Sequence, residues 1–343
     1  MAFGFIRRVL QKKTLQEKTM FPAIHIFGFH VPMYALMAVT GLISYVVCYI
    51  FLVEKKEKLD RVTSNRLLFV SVLGFVVMYF SALFFDGIYH SLETGKISFG
   101  SITWLGGVLG SFPAMVLGIH FLVPKAKGNA VYIFSLMVPG IVLGHFFGRL
   151  GCFFGGCCYG RPVDAGDAFA FLGIVFPEGS SAAKQYPGAD GNSLPVYPTQ
   201  LFEAIFELAL FIVMLVSYKK TKKYNISIYF FAYGTFRFLI EFLRGDDRGS
   251  LGGVLSPSQW SSLFIIIAAI LLILFQNGVI FKKLNEKCRI WREEAAKLPV
   301  TVINKKGRID NVEMLRELQQ LKREGIITEE EFKAKKQEIL KRM

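Results

Sequence analysis

Seven apolar runs recur along the chain, near 33–53, 67–89, 101–123, 131–149, 200–217, 225–243 and 258–281, each bracketed by Lys or Arg clusters or by Gly and Pro turns. An apolar helix of about 20 residues matches the ~30 Å hydrocarbon core of a bilayer, and a helix satisfies its backbone polar groups internally. The pattern predicts an all-α, polytopic membrane protein of about seven transmembrane helices. The third run is diluted by Gly106, Gly107, Gly110, Pro113 and Gly118, residues that lipid tolerates where neighbouring helices re-satisfy the backbone. A soluble alternative fails on composition: 53% of the residues are hydrophobic and 19% charged, too few to cover the apolar bulk in water.

A formal charge of +14 raises the alternative of nucleic-acid binding, and its placement argues against it. Basic residues gather at Lys55, Lys56, Lys58, Arg61 and Arg66, at Lys125 and Lys127, at Lys219, Lys220, Lys222 and Lys223, and beyond Lys282, in alternate connections. That alternation is the positive-inside pattern. It predicts the N-terminus and the loops 90–100, 151–199 and 244–257 outside, with the C-terminus in the cytoplasm. Arg7, Arg8, Lys12, Lys13 and Lys18 run against the rule. Interleaved with Phe3, Phe5, Ile6, Val9 and Leu10, they read as an amphipathic segment over 1–20 lying on the bilayer, since no long apolar stretch follows them as in a cleaved signal.

The membrane domain is expected over 21–282, a linker over 283–307 and a cytoplasmic helical hairpin over 308–343. In the hairpin, Leu315, Leu318 and Leu321 form one apolar stripe and Phe332, Ile339 and Leu340 the other; Gly325 stops the first helix, and Thr328 with Glu331 caps the second. LRELQQLKREGIITEEEFKAKKQEIL resembles the short C-terminal domain found at the ends of many unrelated bacterial proteins. That resemblance implies an accessory module, through which a second copy or a partner would bind; a solvated hairpin without a partner is the alternative. The connection 151–199 is long and rich in Gly, Pro, Asp and Ser, which marks it as functional.

Ionised groups in or beside apolar helices are expensive and mark polar cavities. Four groups qualify: Arg149 with His145 one turn earlier, Glu203 with Glu207, Arg237 with Glu241, and Asp86 with His90. Two arginines meeting in one cavity suit a phospholipid phosphate, because guanidinium grips phosphate oxygens in pairs and stays charged. A structural Arg237–Glu241 pair without a substrate is the alternative. Gly148, Gly151, Gly155, Gly156 and Gly160 predict that the helix ends at Arg149 and that the backbone bends beside it. Cys152, Cys157 and Cys158 fall in that bend. They read either as reactive thiols helped by the field of Arg149 or as disulfide partners; the spacing is not that of zinc ligands, so no metal is expected.

Four motifs in order resemble the prolipoprotein diacylglyceryl transferase family over roughly 20–280: LGGVLG at 105–110, GRLGCFFGGCCYGR at 148–161, YPTQLFE at 197–203 and RFLIEFLRGDD at 237–247. The resemblance implies transfer of a diacylglyceryl group from phosphatidylglycerol to the cysteine thiol of a secreted prolipoprotein, at the outer side of a bacterial cell membrane, without metal or soluble cofactor. It implies that Arg149 and Arg237 bind the phosphate and that Glu241 orients Arg237. Gly160 would close the headgroup pocket and Tyr34 line it, with Gly106, Gly107 and Glu203 completing the substrate-binding set. Departures from the family pattern are Cys152 in place of Asn, Cys157 in place of Glu, and Leu105 and Tyr197 in place of His. His145 is then the remaining histidine to serve as base, a packing histidine being the alternative. A non-enzymatic lipid-binding or assembly protein that kept the headgroup pocket is the competing function.

Overall fold

The computed structural model describes residues 23–26, 29–94, 104–164, 166–245, 255–298, 311–323 and 325–340. The basic N-terminal segment, most of the expected loops 90–100 and 244–257, Asp246 and Asp247, and most of the linker 283–307 beyond 298 lie outside the described residues.

The apolar runs fold as helices. Helix α1, Met33–Tyr49, passes into a π-helical stretch, Ile50–Lys56. It is followed by α2 (Arg61–Thr94), α3 (Trp104–Leu122) and α4 (Ala130–Phe154). The remainder comprises α5 (Ser181–Gln185), α6 (Thr199–Val216), α7 (Tyr218–Thr221), α8 (Asn225–Ile240) and α9 (Pro257–Gln276). Among the described residues six helical stretches are long and apolar enough to cross a membrane; the seventh, Gly106–Leu122 within α3, is shorter. At 1.5 Å per residue its apolar part spans about 25 Å, at the lower end of the lengths that cross a bilayer. Large apolar side chains such as Phe80, Phe121, Ile205 and Val216 are exposed, as lipid-facing positions require. One short antiparallel pair, Ala23–Ile26 with Phe29–Pro32, departs from the all-α expectation.

The chain divides into two compact units: Met1–Cys48, Val138–Thr221 and Asn225–Ile270 form one, and Tyr49–Met137, Lys222–Tyr224 and Leu271–Met343 the other. In the first, the connection between α4 and α6 has its own core of Tyr159, Phe176, Ala182 and Val196, with Val196 bridging to both Pro162 and Ile174. Helix α4 continues past Arg149 to Phe154, further than its glycines predict. Gly151 stays helical because α1 packs directly on it: a Cβ there would lie 3.1 Å from the Tyr34 ring. The helix ends only at Gly155 and at Gly156, whose φ is +61°.

In the second unit α2 packs along α3, and Ser81 Oγ donates to the Gly106 carbonyl at 2.6 Å. Helices α10 (Lys282–Ala296), α11 (Asn311–Arg323) and α12 (Glu329–Leu340) follow. Met314, Leu318, Ile327 and Ile339 form the core of the terminal hairpin, with Leu315, Leu321 and Phe332 packed on it, whereas Leu340 is exposed. Gly325 turns with φ +69°. Thr328 and Glu331 cap α12 reciprocally, Glu331 N donating to Thr328 Oγ1 at 3.2 Å and Thr328 N to Glu331 Oε2 at 2.9 Å.

Candidate functional site

Three helices of the first unit present polar side chains at four-residue spacing: His145 and Arg149 on α4, Glu203 and Glu207 on α6, and Tyr229, Tyr233 and Arg237 on α8. That spacing stacks side chains on one face, one turn apart. The result is two polar layers between apolar helices. In one, His145 Nδ1 stands 2.8 Å from both the Tyr229 hydroxyl and Glu207 Oε1, the hydroxyl being the aligned hydrogen-bond partner and the carboxylate a neighbouring charge. In the other, Arg149 Nη2 lies 2.9 Å from Glu203 Oε1 and donates to the Tyr233 hydroxyl at 3.2 Å, while that hydroxyl donates to Glu203 Oε1 at 2.8 Å. Glu203 and Glu207 are both fully buried.

Arg149 Nε donates to His145 Nε2 at 3.1 Å and ties the layers together. A guanidinium only donates, so Nε2 is an acceptor and the ring proton sits on Nδ1. His145 thus has its lone pair occupied by Arg149, an arrangement that holds the arginine and leaves no open basic nitrogen.

Arg237 ends the α8 stripe. Its Nη2 is 2.7 Å from Glu241 Oε2 and donates to Ser258 Oγ at 3.0 Å, and Ser256 Oγ donates to Glu241 Oε1 at 2.8 Å. Arg237 is 6% exposed, and its Nη1 has no hydrogen-bond partner among the described residues. The charges of Arg149 and Arg237 both act on Glu203. An anion with several oxygens would satisfy the spare donor, as a buried N–H requires.

Next to this site the backbone is crowded. Gly160 N donates to the Tyr197 carbonyl at 2.8 Å, and Arg161 N to the Leu243 carbonyl at 2.8 Å. A Cβ on Gly160 would fall 2.6 Å from the Leu243 oxygen, so only glycine lets the three strands of chain cross. Tyr197 is buried; its hydroxyl donates to Asp167 Oδ2 at 2.9 Å, and the Arg161 guanidinium lies over its ring at 5.3 Å. The hydrogen bond from Arg161, then that from Tyr197, holds the Asp167 carboxyl below its usual range.

Cys152, Cys157 and Cys158 have their sulfurs within 4.8 Å of one another, and all three are thiols. Hydrogen bonds from Cys152 and Cys157, reinforced by the charges of Arg244 and Arg149, hold the Cys158 thiol well below its usual range.

The structure thus gathers His145, Arg149, Glu203 and Glu207, sets the Arg237–Glu241 pair at the end of the same α8 stripe, and brings the three cysteines together. Tyr34 is half exposed and packs on Gly151. Gly106, Gly107 and the buried Asp86 belong to the second unit; the side chains of His90 and Leu105 lie outside the described residues. Sequence reasoning missed Tyr229, Tyr233, Ser256 and Ser258. The tyrosines carried a usable signal, standing eight and four residues before Arg237 on the same stripe.

The family model for prolipoprotein diacylglyceryl transferase matches residues 22–275, and that for the short C-terminal domain matches 313–340. The phosphatidylglycerol–prolipoprotein diacylglyceryl transferase 2 of Clostridium perfringens is 38% identical over 187 residues, covering 54% of this chain and 64% of that protein. The phosphatidylglycerol–prolipoprotein diacylglyceryl transferase of Clostridium tetani is 28% identical over 71% of this chain and 93% of its own length. That of Burkholderia multivorans is 30% identical over 74% of this chain and 93% of its own length.

Proposed function

The chain belongs to the prolipoprotein diacylglyceryl transferase family, and on that premise we propose that it transfers the diacylglyceryl group of phosphatidylglycerol to the cysteine thiol of a prolipoprotein. The observation that carries this reading is the buried Arg237 with a spare N–H, set on the same helix stripe as Tyr233, which accepts from Arg149. Two guanidinium groups, each anchored by a carboxylate, are preorganised for the phosphate of an anionic lipid. Glu241 orients Arg237, Glu203 orients Arg149, and His145 positions Arg149 through Nε2.

In the reaction the acceptor thiol gives its proton to solvent, and the resulting thiolate forms an S–C bond to the glyceryl carbon. The C–O bond to phosphate breaks, and glycerol phosphate leaves with the electron pair. Negative charge builds on the departing phosphate, which is where fixed arginines lower the barrier most. Gly160 and Tyr34 bound the headgroup side. The site faces the outer leaflet, with the N-terminus outside and the hairpin 308–343 in the cytoplasm, where it meets a partner or a second copy.

The test is purified full-length protein with phosphatidylglycerol vesicles and a lipobox peptide, read by mass spectrometry. The expected product is the diacylglyceryl thioether, abolished by Arg237→Ala. Wild type that co-purifies with lipid yet shows no transfer, under conditions where an authentic transferase works, would establish the non-enzymatic lipid-binding alternative instead.

A further inference from the structure

Beyond the lipid site, we propose that Cys152, Cys157 and Cys158 form a three-sulfur site for a soft metal ion of the monovalent copper class. Cys152 sits on the last turn of α4, and Cys157 N folds back onto its carbonyl at 3.1 Å. The turn is made at Gly156, and Cys158 itself adopts the left-handed region with φ +61°, rare for a residue with a side chain. This unusual backbone is pinned from α6: Gln200 Nε2 donates to the Cys157 carbonyl at 2.7 Å and Thr199 Oγ1 to the Cys158 carbonyl at 2.8 Å. The three sulfurs therefore converge from both sides of a fixed bend.

Their spacing is close to what a metal needs. Sulfurs bound at about 2.3 Å around one ion stand roughly 4 Å apart, and these lie within 4.8 Å. A disulfide would have to bring one pair to about 2 Å and strand the third sulfur. Among the described residues no histidine or carboxylate joins the group. Thiolates serve zinc in sets of four as well as Cu(I); with three sulfurs among the described residues and no fourth ligand beside them, the set suits the softer ion of lower coordination number. On binding, the thiols release their protons to solvent. The resulting anionic cluster stands in the field of Arg149 and Arg244, whose charges act on Cys158.

The experiment uses the full chain in detergent, reduced and free of oxygen, titrated with Cu(I) against a chromophoric Cu(I) chelator. One equivalent should be withheld from the chelator, and X-ray absorption on that sample should show a shell of sulfur only, a readout that needs no variant. Cys152→Ser, Cys157→Ser and Cys158→Ser should each weaken retention by at least about tenfold, the least that loss of support around a metal usually brings. Cys48→Ser and Cys288→Ser should change nothing. Wild type that yields Cu(I) as readily as the triple serine variant, or a shell containing nitrogen or oxygen, overturns the site. Retention of Zn(II) in preference to Cu(I) overturns the choice of ion.

Discussion

Replacing Glu203 by Gln keeps the volume of a fully buried side chain and removes only its charge. Glu203 Oε1 is 2.9 Å from Arg149 Nη2 and accepts from Tyr233 at 2.8 Å. Losing one partner of a buried ion pair costs ~3–5 kcal/mol, and the amide oxygen keeps a Tyr233 bond of ~1 kcal/mol. The remaining ~2–4 kcal/mol falls on Arg149, still held by His145 Nε2 at 3.1 Å but no longer neutralised. In a zwitterionic detergent the apparent Tm should drop by roughly 5–10 °C. Phosphatidylglycerol supplies a substitute anion, so its added stabilisation should be larger in the variant than in wild type, as linkage requires when a ligand replaces a lost partner. Thermal unfolding followed by fluorescence, with and without phosphatidylglycerol, measures both shifts. Equal stabilisation of variant and wild type by the anionic lipid would mean that Arg149 does not face the phosphate, and the reasoning about the site would be wrong.

Gly160→Ala should destabilise the protein by ~1–3 kcal/mol, the usual cost of overpacking, because the new methyl would sit 2.6 Å from the Leu243 carbonyl; a Tm at or above wild type counts against the three-way backbone crossing. His145→Gln should slow transfer by up to about a hundredfold, as misplacement of a binding group does, while the pH–rate profile keeps its shape; a change in that shape would restore His145 as the base. Asp167 has a carboxyl depressed below its ordinary 3.8, so its contribution to holding the 155–198 connection is complete above that pH and lost as pH falls through the lower folded value. Protease sensitivity of that connection in wild type should therefore rise only below pH 3.8, and Asp167→Asn should raise it already at neutral pH.

Lipid makes much of this fold legible. A buried backbone without water must close its own hydrogen bonds, so apolar runs bounded by basic clusters translate directly into helices. The failures come where a neighbour decides. Gly151 reads as a helix breaker, yet α1 occupies the space its side chain would need, and α4 continues through it. The strand pair at Ala23–Ile26 and Phe29–Pro32 is too short for its alternation to register beside an apolar helix. Charged residues four apart announce themselves, so Arg149 with His145 and Arg237 with Glu241 could be paired by eye. Tyr229 and Tyr233 offered only their spacing from Arg237, and a tyrosine in an apolar helix looks like packing until its hydroxyl meets a partner 84 residues away.

The cysteines show the same limit from the opposite side. A C-x4-C-C spacing argues against a metal because a regular turn would scatter the sulfurs. What gathers them is a left-handed Cys158 held by Thr199 and Gln200, residues of a motif that lies some forty positions later. Those two side chains open α6 only a few residues before Glu203, so one helix start fixes both the thiol cluster and the carboxylate that orients Arg149. Substituting the cysteines would therefore change the wall beside Arg149 without changing the helix start that sets Glu203 against it.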